Sequence, residues 1–309
     1  MDTQEHPGVP QRPPASAHLL VDSRDRGVDS LGNPEGSAAD FRIYNNNYLL
    51  FGYFTRFAVT QVQFWWNVPT IATGWNDKMI IQNDTASTED TILIPAGFYT
   101  PVTLAAAIQV ALRASVPLNV PAATVVFDEP SNAFIINSNG SGTGPDLDFV
   151  SPITAYPGRG TEYYRMVRCY RTIGVPVSLF GIGGLPILQL AVPQMIGSQY
   201  IDIVSRNLTK YQRVKDVDTA PQNTRSNIIY RLYMCPPNQR LQSYEIEGPG
   251  TYPFLICADP NTPKYIKWSP GEPLAELDLQ VLDMDGQILY WEQTYAPWEY
   301  QLTLIATET

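Results

Sequence analysis

Histidine and cysteine, which most often carry nucleophilic and metal chemistry, are scarce in this chain. The two histidines, His6 and His18, both lie near the amino-terminal end. A Ser-His or Cys-His arrangement inside a folded core is therefore not predicted. The three cysteines, Cys169, Cys235 and Cys257, are far apart and show no Cys-x-x-Cys spacing. This pattern predicts buried, reduced thiols rather than a zinc site or a disulfide framework.

Two glycine-rich segments resemble phosphate-binding loops only superficially. Residues 140–144 read Gly-Ser-Gly-Thr-Gly, and residues 181–186 read Gly-Ile-Gly-Gly-Leu-Pro. Neither has the Gly-Lys-Ser/Thr end of a P-loop or an apolar helix after it. We interpret both as loops, and we predict no cofactor.

Acidic residues offer two further candidate sites. Asp283-x-Asp285-Gly286 resembles the start of a calcium loop, but the remaining acidic ligands of an EF-hand are missing at the required spacing. Because Asp-Gly tolerates positive φ, a hairpin turn explains these residues better. Asp216, Asp218 and Asp259 could contribute to a carboxylate pair for glycoside hydrolysis, yet no spacing singles out one pair. We therefore predict no catalytic residue, no metal site and no enzymatic activity.

One local cluster of basic residues interrupts an acidic chain. It consists of four arginines interleaved with tyrosines: Arg159, Arg165, Arg168 and Arg171, with Tyr163, Tyr164 and Tyr170. The functional interpretation is contact with nucleic acid or with an acidic partner. The alternative is ion pairing within or between subunits against the excess of acidic residues. The sequence favours the alternative.

Charge and hydropathy limit the possible partners. The net charge is −10 and the pI is near 4.7, which argues against general nucleic-acid binding. No signal peptide and no apolar run long enough to span a membrane are found. We expect folding in a reducing compartment. Six tryptophans and eighteen tyrosines exceed the needs of a core, so some should lie at interfaces or stack on sugars.

Hydrophobic periodicity predicts an all-β protein. In the stretch 276–306, apolar and polar residues alternate before the Asp285-Gly286 turn and again from Tyr300 to Ala306, with the apolar segment 287–291 between them. This pattern predicts an antiparallel meander of three strands. In the stretch 56–66 the apolar phase changes near Thr60-Gln61, which indicates a β-bulge or a strand buried on both faces. Thr100 and Pro101 begin the one clear helix. About ten to twelve strands are expected in all, as in a single jelly-roll β-sandwich.

The domain organisation follows from the distribution of proline and apolar residues. Residues 1–17 carry four prolines and few large apolar side chains, which predicts an extended arm, either disordered or ordered on a neighbouring subunit. Residues 18–309 form the jelly-roll domain, with no sign of two separate cores. Within it, residues 139–197 are irregular and rich in glycine and proline, so they are expected to be an insertion or a long connection.

Several short segments together resemble one family of viral proteins. The segments are Asp22-Ser23-Arg24-Asp25-Arg26, Asp40-Phe41-Arg42-Ile43, Trp66-Asn67-Val68-Pro69, Ile94-Pro95-Ala96-Gly97-Phe98-Tyr99-Thr100, Ser178-Leu179-Phe180-Gly181 and Asp278-Leu279-Gln280-Val281-Leu282-Asp283-Met284-Asp285-Gly286. In this order they resemble the penton and minor capsid proteins of icosahedral double-stranded DNA viruses of the adenovirus and PRD1 type. That lineage includes virophages, polinton-like viruses and nucleocytoplasmic large DNA viruses.

The resemblance implies a structural role in the virion. The expected protein is a penton, a single jelly roll that forms pentamers at the icosahedral vertices and contacts the major capsid protein. Other expected partners are minor capsid proteins, while contact with nucleic acid is not expected. The first alternative is a minor or cement capsid protein. The second is a carbohydrate-binding β-sandwich in a receptor-binding spike. A double jelly-roll major capsid protein would need a longer chain.

Overall fold

Strands outnumber helices in the computed structural model, as the periodicity predicts. The structure describes residues 15–27, 36–45, 47–139, 145–181, 184–196, 198–211, 227–234, 241–242, 254–260, 263–290 and 299–308. The strands are β1 Ser16–Asp22, β2 Asp40–Tyr44, β3 Arg56–Trp66, β4 Lys78–Asn83, β5 Thr88–Leu93, β6 Thr124–Asp128, β7 Ala133–Asn137, β8 Leu147–Phe149, β9 Ile187–Gln189, β10 Tyr200–Val204, β11 Ile228–Tyr233, β12 Leu241–Gln242, β13 Phe254–Ala258, β14 Tyr265–Lys267, β15 Glu276–Leu282 and β16 Glu299–Thr307. The helices are α1 Pro101–Ala114, α2 Pro152–Ala155, α3 Thr161–Ile173 and α4 Arg206–Thr209, with a 3₁₀ turn at Val177–Leu179.

Two antiparallel sheets form a sandwich whose strand order defines a jelly roll. One sheet has the order β1-β16-β3-β13-β12, with β14 also pairing with β3, and the other has the order β11-β10-β15-β2. The pairs are nested along the chain: β1 with β16, β2 with β15, β3 with β13, and β10 with β11. Successive nested pairs alternate between the two sheets. This arrangement is the double Greek key of a jelly roll, so the predicted fold class is confirmed.

Aromatic side chains join the two sheets across the core of the sandwich. The ring of Phe64 on β3 stacks on the ring of Tyr300 on β16, with centroids 5.8 Å apart. Phe41, on β2 of the opposite sheet, places its ring 5.9 Å from Tyr300. These three side chains are buried. They therefore tie a strand near each end of the chain to the central strand β3, as aromatic pairs in protein cores do.

The bulge predicted in β3 is confirmed. Thr303 of β16 pairs with Gln61, and the next residue, Leu304, pairs with Val59, so Thr60 is the extra residue. The Thr60 hydroxyl donates a hydrogen bond to the carbonyl of Thr303, at 3.2 Å. An inserted residue moves the following side chains to the other face of the strand. As a result, apolar residues on both sides of the bulge are buried in the same core.

The closing stretch of the chain is a crossover between sheets, and the predicted meander is wrong. The strands β15 and β16 each bury alternate residues as expected, but they belong to different sheets. After the turn, the antiparallel pairing of the described residues up to 290 is limited to one bridge between Leu282 and Ile288. Strands on either sheet of a sandwich show the same alternation, because both sheets bury one face. Periodicity therefore located the strands and could not assign their partners.

The chain segment that connects β3 to β10 forms a second hydrophobic core, so the expectation of a single core is wrong. This core runs in sequence from Ile71 to Leu190 and is separate from the cluster inside the sandwich. It is built from the sheets β5-β4-β8 and β6-β7-β9 together with α1 and α3. We call the residues 70–196 that carry it the inserted unit. The irregular region predicted at 139–197 lies mostly within this unit and contributes two helices and two strands to it.

Some of the segment boundaries predicted from the sequence fall on described residues, and others do not. The helix α1 begins as predicted, with a capping box between Thr100 and Thr103 and Pro101 at its first position. The strand β1 begins at Ser16, inside the arm predicted for residues 1–17, and residues 1–14 lie outside the described part of the chain. The domain boundaries at 17, 139 and 197 stay predictions.

Candidate functional site

Three of the four clustered arginines lie on α3, where the inserted unit meets the sandwich. This helix ends at Gly174, which has a left-handed φ of 82°. A Cβ atom at that position would lie 2.2 Å from the carbonyl oxygen of Ala191, so only glycine fits there. The helix therefore ends at this glycine, next to the segment that contains Ala191.

Arg165 is paired within the inserted unit. Its Nε and Nη2 atoms donate to the two carboxylate oxygens of Asp77, at 2.6 and 2.9 Å. Its Nη1 atom lies 3.1 Å from Glu162 on the preceding turn of α3. A bidentate pair of this kind fixes both distance and orientation. Arg165 therefore holds α3 against the start of β4.

Arg168 and Arg171 reach from the inserted unit to the turn after β15. Nε of Arg168 donates to Asp283 at 2.8 Å, and the two side chains are only 5% and 1% exposed. The guanidinium of Arg168 also lies over the ring of Trp75, 5.3 Å from its centroid. Arg171 binds both carboxylate oxygens of Asp285, each at 3.0 Å. We call Arg168, Arg171, Asp283 and Asp285 the junction cluster.

The intramolecular interpretation of the arginine cluster is thus confirmed for three of its four members. Arg159, the fourth, is exposed and lies just before α3, with its guanidinium 5.9 Å from the ring centroid of Tyr163. Guanidinium groups that already hold carboxylates are poorly available to phosphates. The described geometry therefore gives no support to a nucleic-acid site on α3.

The aspartates of the turn after β15 are oriented by the backbone. Oδ1 of Asp283 accepts hydrogen bonds from the amides of Asp285 and Gln287, at 2.9 and 3.0 Å. The amide of Gly286 donates to the carbonyl of Asp283 at 3.0 Å, and Gly286 has a φ of 76°. This confirms the tight turn predicted at Asp285-Gly286. Burial raises the pKa of Asp283 above its usual range, although the charge of Arg168 acts in the opposite direction.

Other polar groups suggested by the sequence do not assemble into a site within the described residues. No group of three or more His, Cys, Asp or Glu side chains is placed there to hold a metal ion. Several of the candidates lie outside the described residues, namely the segments 140–144 and 182–183, Asp216 and Asp218. Asp259 is described and is exposed after β13. Cys169 is buried, and this burial raises the pKa of its thiol. Cys257 is partly buried. Cys235 lies outside the described residues.

Glu162 gives the inserted unit a pH-dependent contact. Its carboxylate accepts a hydrogen bond from Nζ of Lys78 at 2.8 Å, which is the largest cause of the lowered pKa of Glu162. Lowering the folded-state pKa gives a stabilisation that is present above the unfolded value of about 4.3. It is lost as the pH falls through the lower, folded-state pKa.

We expect Glu162→Gln to destabilise the protein at pH 7 by less than about 1 kcal/mol, because the side chain is 43% exposed and partly screened. Urea unfolding of wild type and variant should show this difference shrinking as the pH is lowered below about 4.3. Glu129→Gln, at an exposed carboxylate in the β6–β7 turn, serves as the control. A Glu162→Gln effect that is equally large at acid pH would contradict the ion-pair account.

Tyr170, one of the tyrosines interleaved with the arginine cluster, is buried on α3. Its hydroxyl lies 2.9 Å from the carbonyl oxygens of both Ile80 and Val150 and also accepts from the amide of Ile80, at 3.3 Å. Tyr170→Phe removes this shared partner inside the core. We expect a loss of about 1–3 kcal/mol in the free energy of unfolding, measured by chemical denaturation. Tyr163→Phe, on a more exposed part of α3, should change stability by less than about 0.5 kcal/mol.

Two exposed surfaces of the described residues are apolar or aromatic. One is an apolar groove of about 490 Å³ between α2, α3 and the segment 174–194, with Ile153, Val177 and Val192 among its lining residues. Its one charged lining residue, Arg171, is already paired with Asp285. The other is an exposed aromatic surface on the connection between β2 and β3, which includes Phe51 and Tyr53. Neither surface brings together a nucleophile and a base among the described side chains.

Comparisons with known proteins give structural neighbours only. No family model and no curated protein matches this chain. Among solved structures, the chain is similar to the crystal structure of the mavirus penton protein. That match has 12% identity and a TM-score of 0.46, and it covers 94% of this chain and 99% of the penton chain. The chain is also similar to the structure of the Sputnik virophage determined by cryo-electron microscopy, with 12% identity, a TM-score of 0.42 and coverage of 96% and 98%.

None of the helices in the described part of the chain is both long enough and apolar enough to cross a lipid bilayer.

Proposed function

We propose that this chain is a structural protein of an icosahedral viral capsid. More specifically, we propose that it is the penton, five copies of which close each vertex. The observation that carries the proposal is the nested strand pairing of the sandwich, β1 with β16 through β10 with β11, which defines one complete jelly roll. A penton of the family that the sequence resembles is expected to contain one such sandwich.

The segments that carry the sequence resemblance have structural roles in this sandwich. The Asp22 carboxylate at the end of β1 accepts hydrogen bonds from Arg24 and from Gln301 of β16. The amide of Tyr300 donates to the Ser23 hydroxyl at 3.0 Å. The motif Asp22-Ser23-Arg24 therefore closes the first strand onto the last one. Residues 278–286 form the end of β15 and the turn that holds the junction cluster.

Assembly through rigid surfaces would be the mechanism of such a protein. A ring of identical subunits needs one surface of each copy to bind a different surface of the next, at an angle that closes. The junction cluster fixes the inserted unit on the sandwich, so the relative angle of the surfaces would be set within each chain. The proposed partners are further copies of this chain, the major capsid protein and minor capsid proteins.

The remaining parts of the proposal rest on the sequence. The part of the predicted arm that precedes β1, residues 1–15, would reach neighbouring capsomers. Residues 139–197 would contribute to a projection from the vertex, and the protein would act in the virion without enzymatic activity. Assembly would take place in a reducing compartment, consistent with free thiols at Cys169 and Cys257.

Light scattering coupled to gel filtration tests the proposal. We expect the purified protein to form a species of five 34.5 kDa chains and to bind the major capsid protein. A strictly monomeric species at high concentration, without binding to the major capsid protein, would overturn it. A monomer that does bind would support the cement-protein alternative instead. Binding to a glycan array that depends on exposed tyrosines would support the carbohydrate-binding alternative.

A further inference from the structure

One segment of the surface combines exposure, aromatic character and absence of charge. Between Arg42 and Arg56 the chain has no Asp, Glu, Lys or Arg residue. Within this stretch four aromatic side chains are more than half exposed: Tyr44, Tyr48, Phe51 and Tyr53. Phe51 and Tyr53 are each 69% exposed. We call the residues 44–54 the aromatic connection, since they join β2 to β3.

The aromatic connection is held in place by the sandwich. Leu49 donates a backbone hydrogen bond to the carbonyl of Leu274 at 2.7 Å, and Leu274 donates to the carbonyl of Leu50 at 2.8 Å. Phe54 is buried, and its ring covers Gly52 so closely that a Cβ atom there would lie 2.6 Å from it. The exposed rings of Tyr48 and Phe51 stack on each other with centroids 5.9 Å apart. This surface is therefore preorganised, which lowers the entropic cost of binding.

We propose that the aromatic connection is a contact surface between copies of this chain. Exposed Phe and Tyr side chains grouped without charges are typical of the buried centre of an interface, where charged residues are depleted. Each copy carries a net charge of −10, so two copies repel each other wherever their acidic surfaces meet. The thirteen consecutive residues 43–55 carry no charged side chain, so identical copies can approach at their exposed aromatic rings without that cost. A basic partner would instead be drawn to the acidic surfaces.

This inference rests on the proposed function and names the surface through which copies associate. In a ring, the aromatic connection of one copy would pack against a different surface of its neighbour. Loss of its apolar contacts should weaken assembly without weakening the fold, because the side chains of Phe51 and Tyr53 are mostly outside the core. This separates a role in association from a role in folding.

The test compares two variants at the aromatic connection with a matched control. Phe51→Glu and the double variant Phe51→Ser with Tyr53→Ser should each raise the concentration at which the oligomer dissociates by about 10- to 100-fold. Val116→Glu adds the same charge at a residue that is 86% exposed in the inserted unit, and it should leave assembly unchanged. Thermal unfolding and circular dichroism should be the same for all three variants and wild type.

A photo-crosslinking amino acid at position 51 locates the contact directly. We expect a crosslinked dimer on denaturing gels, with the crosslink mapped to a second copy of this chain. If wild type forms pentamers and Phe51→Glu does so at the same concentrations, the inference is overturned and the penton proposal stands. If wild type forms a different oligomer that Phe51→Glu dissociates, the inference stands and the penton proposal fails. A wild-type protein that is monomeric at all concentrations overturns both.

Discussion

Replacing Arg168 by methionine is expected to lower the free energy of unfolding by about 3–5 kcal/mol, as measured by chemical denaturation. The guanidinium of Arg168 lies 2.6 Å from the Asp283 carboxylate, and both groups are nearly inaccessible to water. Methionine would leave that carboxylate buried without its partner. Because burial already raises the pKa of Asp283, the variant should also take up a proton there more readily than wild type.

The control for this prediction lies just before the same helix. Arg159→Met removes an equal charge from an exposed side chain and should change stability by less than about 0.5 kcal/mol. Combining Arg168→Met with Asp283→Asn removes both charges, so the double variant should be more stable than the sum of the two single effects implies. An Arg168→Met protein as stable as Arg159→Met would show that the junction cluster does not hold the inserted unit.

Phe64→Ala is expected to have an effect of similar size, about 3–5 kcal/mol, by opening a cavity in the sandwich. The ring of Phe64 is fully buried, stacks on Tyr300 and lies 6.0 Å from the ring of Trp66. These contacts connect β3 to β16 at the centre of the jelly roll. Urea unfolding measures the loss, and the oligomer should be lost together with the fold.

Phe51→Ala is the matched control for Phe64→Ala. The same side-chain atoms are removed from a ring that is 69% exposed, so stability should change by less than about 0.5 kcal/mol. Assembly should nevertheless weaken if the aromatic connection is an interface. A Phe64→Ala variant that loses less than about 1 kcal/mol would contradict the assignment of β3 as the central strand of the core.

Features set by neighbouring residues could be predicted from the sequence. The bulge at Thr60 followed from a change of phase within one strand, and the start of α1 followed from Thr100 and Pro101. The turn at Asp285-Gly286 followed from the tolerance of this pair for positive φ. Each of these signals depends on local backbone geometry, which a few adjacent residues determine.

The helix α3 was missed because no capping side chain marks its amino-terminal end. Gly160 at its amino-terminal end makes no side-chain cap. Its buried residues Met166, Cys169, Tyr170 and Ile173 do recur at helical spacing, which was the signal available in the sequence. The wider region 139–197 is rich in glycine and proline, which is more typical of a long connection.

The partners of the junction cluster could not be predicted. Arg168 and Asp283 are 115 residues apart, and many other acids were equally available to Arg168. The same limit applies to the strand pairs, since β1 and β16 meet from opposite ends of the chain. Which groups meet depends on the whole topology, and the second core that surrounds α3 arises only from that topology.

Imaging of native virus particles tests the central proposal most directly. A reconstruction at a resolution sufficient to trace strands should show five copies of this jelly roll around each five-fold axis. Each copy should contribute the two sheets β1-β16-β3-β13-β12 and β11-β10-β15-β2. A reconstruction in which the vertices are built from another chain, with this one absent or placed between other capsomers, would contradict the account.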